Sequence, residues 1–136
     1  MNRVPRKTMI EFVQKLHVIH GVPARKSVIA GFSQGGIVSA SVALTSPESV
    51  AGFGILSGRI LPEIATVTAE RERLNGLHAF VGHGDFDSKL PVVWAERSDR
   101  LLQQLGVETV SKRYPIDHTI SIAMHDDFQA WVKSVH

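Results

Sequence analysis

The sequence predicts an α/β protein in which about four parallel strands carry helices on both faces. Three observations lead there. Short apolar runs alternate with helical stripes in the order helix, strand, helix, strand, mixed segment, strand, helix, strand, helix. Such alternation calls for crossover connections and a parallel sheet. The runs "SVIAGF" (27–32), "VAGFGILSG" (50–58) and "LHAFVGHG" (77–84) are continuous rather than alternating, the pattern of strands buried on both faces. Finally, 136 residues without repeat, linker or low-complexity stretch form a single domain, 1–136.

Each element has its own signal. Met9, Phe12, Val13, Leu16 and Ile19 stripe one side of a helix over 8–20, with Gly21 and Pro23 as stop signals. Residues 35–45 are small and apolar with little polar face, which predicts a deeply packed helix. Residues 59–76 are at best partly helical. Trp94, Ser98, Leu101, Leu102 and Leu105 share a face over 91–105, and Gly106 ends that helix. "VETVSKRY" (107–114) mixes β-formers with charge and suits a sheet edge. Ile120, Met124, Phe128, Trp131 and Val135 stripe a C-terminal helix.

Composition excludes several functions. Apolar residues make up 43% and charged residues 21%, ordinary values for a soluble domain. A formal charge of +2, without a basic cluster among aromatics, argues against nucleic acid. The absence of cysteine removes thiolate catalysis and zinc–cysteine sites. His118, His125 and Asp126 lack zinc-type spacing, so no metal is expected. No window approaches the ~18 apolar residues of a membrane span, and Glu11, Gln14 and Lys15 interrupt any signal-peptide core. A cytoplasmic protein is the expectation.

The chemistry begins at Gly31-Phe32-Ser33-Gln34-Gly35, a G-x-S-x-G stretch where an apolar strand gives way to an apolar helix. A sharp strand-to-helix turn lifts the serine hydroxyl above the sheet, and glycine permits the close backbone approach. The hydroxyl needs a base, and the base needs an orienting group. The loop "GDFDSKLP" offers Asp85 and Asp87, and "YPIDHTIS" offers His118. Both loops leave the carboxyl ends of strands, on the same edge as Ser33. The chain order is serine, acid, histidine.

Three linked motifs resemble the phospholipase/carboxylesterase family of α/β hydrolases, which includes acyl-protein thioesterases. "GFSQGG" (31–36) is similar to its nucleophile motif, "LSGRILPE" (56–63) to its LSG…LP segment, and "GHGDFDSKLP" (82–91) to its acid loop. The resemblance runs from about residue 8 to the C-terminus and implies a truncated α/β-hydrolase core. It places Ser33 on the nucleophile, Asp87 on the acid and His118 on the base, with the Gln34 backbone N–H in the oxyanion hole. It leaves Asp85 to shape the loop and His83 to tie it down. Phe32, Ile60, Leu61, Leu90 and Met124 are expected near a shallow substrate pocket, from their loop positions.

The resemblance implies a serine carboxylesterase for short-chain esters or thioesters, needing no cofactor. Asp117 departs from it, since relatives carry glycine there; the carboxylate is expected to point to solvent. By the same resemblance the chain is expected to lack the family's N-terminal strands, one of whose loops supplies a second oxyanion donor. The strand at 27–32 is then left with a bare apolar edge, so a homo-oligomer covering that edge is expected. The alternative is a weak or inactive scaffold used for binding or assembly.

Overall fold

The computed structural model describes residues 27–135. The helix expected over 8–20 lies outside them. The described residues form one four-stranded parallel sheet in the order β1-β2-β3-β4: Val28–Phe32, Gly52–Leu56, His78–Gly84 and Glu108–Tyr114. Helix α1 (Gln34–Thr45) follows β1, and a single turn, α2 (Arg71–Leu74), precedes β3. Helix α3 (Val93–Gln104) joins β3 to β4, and α4 (Ile122–Val135) closes the chain.

Two apolar layers sandwich the sheet. On one face α1 and α3 pack through Ala40, Ala43, Leu44, Ala95 and Leu102 onto Phe53, Ile55, Ala79 and Val81. On the other face α4 packs through Met124 and Trp131 onto Leu56, Phe80 and Tyr114. The pleat explains the division, because successive strand residues point to opposite faces. β2 reads Gly-Phe-Gly-Ile-Leu. Phe53 and Ile55 serve the α1 face, while Gly52 and Gly54 leave room for α4. A Cβ on Gly54 would lie 2.8 Å from the Phe128 ring, and one on Gly52 3.2 Å from Trp131. Phe80, Phe128 and Trp131 fill that space as an aromatic cluster with ring centroids 5.6–5.8 Å apart.

Charged β4 lies at one end of the sheet, as its composition predicts, with most of its residues exposed. β1 differs from expectation. Its run reads as buried on both faces, yet Ala30 and Phe32 are exposed. The reason is its position: among the described residues β1 pairs with β2 alone. The C-terminal helix also starts later than its stripe implies. Ser121 caps it by accepting the Met124 N–H (3.1 Å), which leaves Ile120 outside the helix and 41% exposed. The partly helical 59–76 segment holds one 3-10 turn (Ile64–Thr66) and α2. Among the described residues no helix is long and apolar enough to cross a membrane.

Gly54→Ala forces a methyl against Phe128. Overpacking of this kind costs about 1–3 kcal/mol, so the urea midpoint should fall by that equivalent with an unchanged m-value; an unaltered midpoint would show that α4 does not press on β2.

Candidate active site

The strands are in register at their carboxyl ends. Phe32 pairs with Leu56, Leu56 with Gly82, and Gly82 with Lys112. The chain segments that leave β1, β3 and β4 therefore emerge side by side, and they carry Ser33, Asp87 and His118.

Ser33 sits at φ 56°, ψ −113°, between β1 and α1. A non-glycine residue there is strained, and such strain persists only where surroundings enforce it. Two bonds do so. The Ser33 N–H donates to Leu56 C=O (2.8 Å), and the Ser33 carbonyl accepts the Ile37 N–H (3.2 Å). Gly31 makes the turn sterically possible, since a Cβ there would lie 2.6 Å from Gly35 O. Gly35 itself meets no such crowding. The second close approach falls instead on Gly36, whose Cβ would lie 2.9 Å from Gly31 O. Gln34 is the first residue of α1, so its backbone N–H belongs to the helix's N-terminal end.

The three side chains meet. His118 Nε2 lies 3.0 Å from Ser33 Oγ, and His118 Nδ1 lies 2.8 Å from Asp87 Oδ2. The Asp87 carboxylate accepts from Nδ1, which fixes that proton and leaves Nε2 as acceptor for the hydroxyl. Phe32 flanks the imidazole, its ring centroid 4.9 Å from that of His118.

Asp87 is held from several sides. Its side chain is fully buried. Oδ1 accepts the backbone N–H groups of Lys89 (2.9 Å) and Leu90 (2.8 Å). Burial alone would raise its pKa. The bonds from His118, Leu90 and Lys89 together outweigh burial and hold the carboxyl below its ordinary range. His83 lies beneath, fully buried, with Nε2 donating to Leu90 C=O at 2.7 Å. Asp87 Oδ2 is farther from that nitrogen, at 3.5 Å, so the carbonyl is the acceptor. His83 thus ties down the loop that carries Asp87. Asp85 binds Arg113 Nε at 2.6 Å and shapes the same loop from outside.

The remaining expectations fare unevenly. Leu90 contributes through its backbone, as above. Ile60 and Leu61 are buried in the core and line a cavity of about 210 Å³ against Trp94 and Leu101 of α3. Met124 requires a correction. It has no exposed surface and packs on Gly82 within the α4 layer, so no substrate reaches it. Asp117 also departs from expectation. It is exposed, yet its Oδ1 accepts from the Ser88 N–H (2.7 Å) and hydroxyl (2.8 Å). His118 turns to Asp87, whereas His125 lies against Asp126 at 3.2 Å on the surface.

The clamps on Asp87 were not anticipated from sequence. "Asp87-Ser88-Lys89-Leu90" carries the signal, because an aspartate that accepts N–H groups two and three residues on is an Asx-type turn.

A parallel sheet with a strained serine between its first strand and helix, and with an acid and a histidine on the loops after two later strands, defines an α/β-hydrolase core. The chain belongs to the phospholipase/carboxylesterase family, whose pattern it matches over residues 6–136. It is 36% identical over 89 residues to acyl-protein thioesterase 1 of Mycosarcoma maydis, covering 65% of this chain and 36% of that protein. It is 32% identical over 107 residues to acyl-protein thioesterase 1 of Cryptococcus neoformans, covering 78% and 44%. The chain therefore spans less than half the length of these relatives. Among solved structures it resembles esterase PE8 (TM-score 0.84, 21% identity, 96% of this chain and 60% of that one). It also resembles the Bacillus cereus carboxylesterase (0.85, 17%, 96% and 60%). These likenesses establish the fold.

The pH dependence of stability follows from Asp87. Its folded pKa is depressed, so its contribution is full above the unfolded value near about 4 and is lost as pH falls through the lower folded value. In urea unfolding from pH 7 to pH 2, the stability gap between wild type and Asp87→Asn should narrow at the acid end. A gap independent of pH would contradict the assignment.

Proposed function

We propose that the chain is a serine carboxylesterase acting on short-chain acyl esters, with Ser33 as nucleophile, His118 as general base and Asp87 as its orienting acid. The observation that carries this reading is the unbroken relay Ser33 Oγ–His118–Asp87 at 3.0 and 2.8 Å. Family membership supports ester or thioester chemistry.

The reaction follows from the geometry. Ser33 Oγ forms a bond to the acyl carbon as its proton passes to His118 Nε2. The buried Asp87 carboxylate stabilises the imidazolium so formed. The backbone N–H of Gln34, next to the nucleophile at the start of α1, donates to the developing oxyanion. Collapse breaks the bond to the leaving oxygen or sulfur, which departs with the proton from Nε2. Water then attacks the acyl-serine, gives a proton to the same nitrogen, and releases the carboxylic acid and Ser33. Phe32, exposed beside the His118 ring, offers apolar surface to a short acyl group.

β1 supports a further part of the reading. It is apolar and uncharged, and among the described residues it is hydrogen-bonded on one side only. A sheet edge of that kind lacks the usual protection against pairing. A second copy of the chain covers it in this proposal.

Two measurements test these statements. Ser33→Ala should lower kcat/KM for p-nitrophenyl acetate and butyrate by on the order of 10³ or more, and equal rates in both proteins would end the esterase reading. Size-exclusion chromatography with light scattering at micromolar concentration should give at least twice the monomer mass; a folded monomer would remove the second copy.

A further inference from the structure

The loops carrying the acid and the base leave neighbouring strands, and their pairing does not stop where β3 and β4 end. The Asp85 N–H donates to Tyr114 C=O (2.7 Å), and the Phe86 N–H donates to Ile116 C=O (3.1 Å). The two backbones come so close that a Cβ on Gly84 would collide with Ile116 O and lie 2.6 Å from Asp117 O. Past Ile116 the ladder is finished. Beyond it, two side-chain links join the loops among the described residues: the His118–Asp87 pair itself and the Asp117 carboxylate.

Asp117 Oδ1 collects three donors: the Ser88 N–H (2.7 Å), the Ser88 hydroxyl (2.8 Å) and the His118 N–H (2.7 Å). Ser88 directly follows the acid, and His118 is the base. One oxygen thus joins the backbones of both. A negative acceptor makes such bonds shorter and stronger than a neutral one. The Ser88 N–H first, then its hydroxyl and the His118 N–H, hold the Asp117 carboxyl below the ordinary range, so it is ionised at neutral pH.

We propose that Asp117 is a positioning residue of the Ser33–His118–Asp87 relay: its carboxylate latches the acid loop to the base loop and fixes the 2.8 Å contact between Asp87 and His118. This rests on the catalytic reading above. Asp117 touches neither Ser33 nor the reacting carbonyl in that reading; it acts through the backbones of its two neighbours. Ser57 Oγ to Thr119 C=O, another link to the base loop, is looser at 3.4 Å, and the Thr119 N–H bond to Asp117 C=O (3.0 Å) stays within that loop. Without the latch, residues 117–119 can swing His118 away from the hydroxyl. Displacements of about 1 Å in a reacting group cost as much as 10²-fold in rate.

The test uses the full chain and the variants Asp117→Ala, Asp117→Asn and Ser33→Ala, with p-nitrophenyl acetate turnover and proton NMR. The readout independent of activity is the downfield resonance of the His118 Nδ1 proton shared with Asp87. Asp117→Ala should lower kcat about tenfold or more with KM changed less than about twofold. It should also broaden the downfield resonance while the circular dichroism stays native. Asp117→Asn keeps an oxygen acceptor in place and should recover kcat to within about threefold of wild type. Wild-type kcat and a sharp resonance in Asp117→Ala would overturn the latch, as would an Asp117→Asn variant as impaired as Asp117→Ala. If wild type turned over no faster than Ser33→Ala, the esterase reading would fail separately, and the resonance would still decide whether Asp117 orders the pair.

Discussion

The constraint on which this molecule turns is the hydrogen bond between His118 Nδ1 and Asp87 Oδ2. A serine hydroxyl is a poor nucleophile by itself, and a histidine helps it only in one tautomer and one orientation. Both conditions are met by a single acceptor 2.8 Å from Nδ1. That acceptor must not move. Asp87 is buried, and the amides of Lys89 and Leu90 occupy its other oxygen. Leu90 in turn receives the His83 ring. Rotating the carboxylate would break three part-buried bonds at once, each worth about 1.5–3 kcal/mol for a charged acceptor. The polar groups around Asp87 hold one another in place through these bonds.

The sheet makes that commitment possible. Ser33, Asp87 and His118 are 54 and 31 residues apart in the chain, yet the parallel register brings their strand ends onto one edge. Register in turn depends on packing. The alternation of glycine with large residues in β2 assigns one face to α1 and α3 and the other to the aromatic side of α4. Slipping a strand by one residue would turn Phe53 and Ile55 toward α4, where Phe128 and Trp131 already stand. Core packing therefore determines how Ser33, Asp87 and His118 meet, through the strands that carry them.

Much of this was legible in the sequence. Three strands, the two long crossover helices and the C-terminal helix follow from apolar runs and helical patterns, and the fourth strand from β-formers mixed with charge at a sheet edge. Ser33 and His118 are read from motif and chain order, which leave Asp85 and Asp87 both open; the family resemblance selects Asp87. The misreadings share a cause, which is tertiary context. β1 reads as doubly buried because its composition suits a central strand, but its neighbours decide its exposure. Met124 follows the helical stripe into the core rather than a pocket. Ser121 ends the stripe early by capping α4. Asp117 reads as an exposed carboxylate, and it is exposed; its partner Ser88 lies 29 residues away, and no periodicity reports a contact between two loops.

The most direct test of the central claim is intact-protein mass spectrometry after treatment with a serine-directed fluorophosphonate. A hydroxyl activated by His118 should take up one phosphonyl group per chain, mapped to Ser33, and His118→Ala should abolish the labelling. A wild-type chain that stays unlabelled, or a His118→Ala chain labelled as fast as wild type, would contradict it.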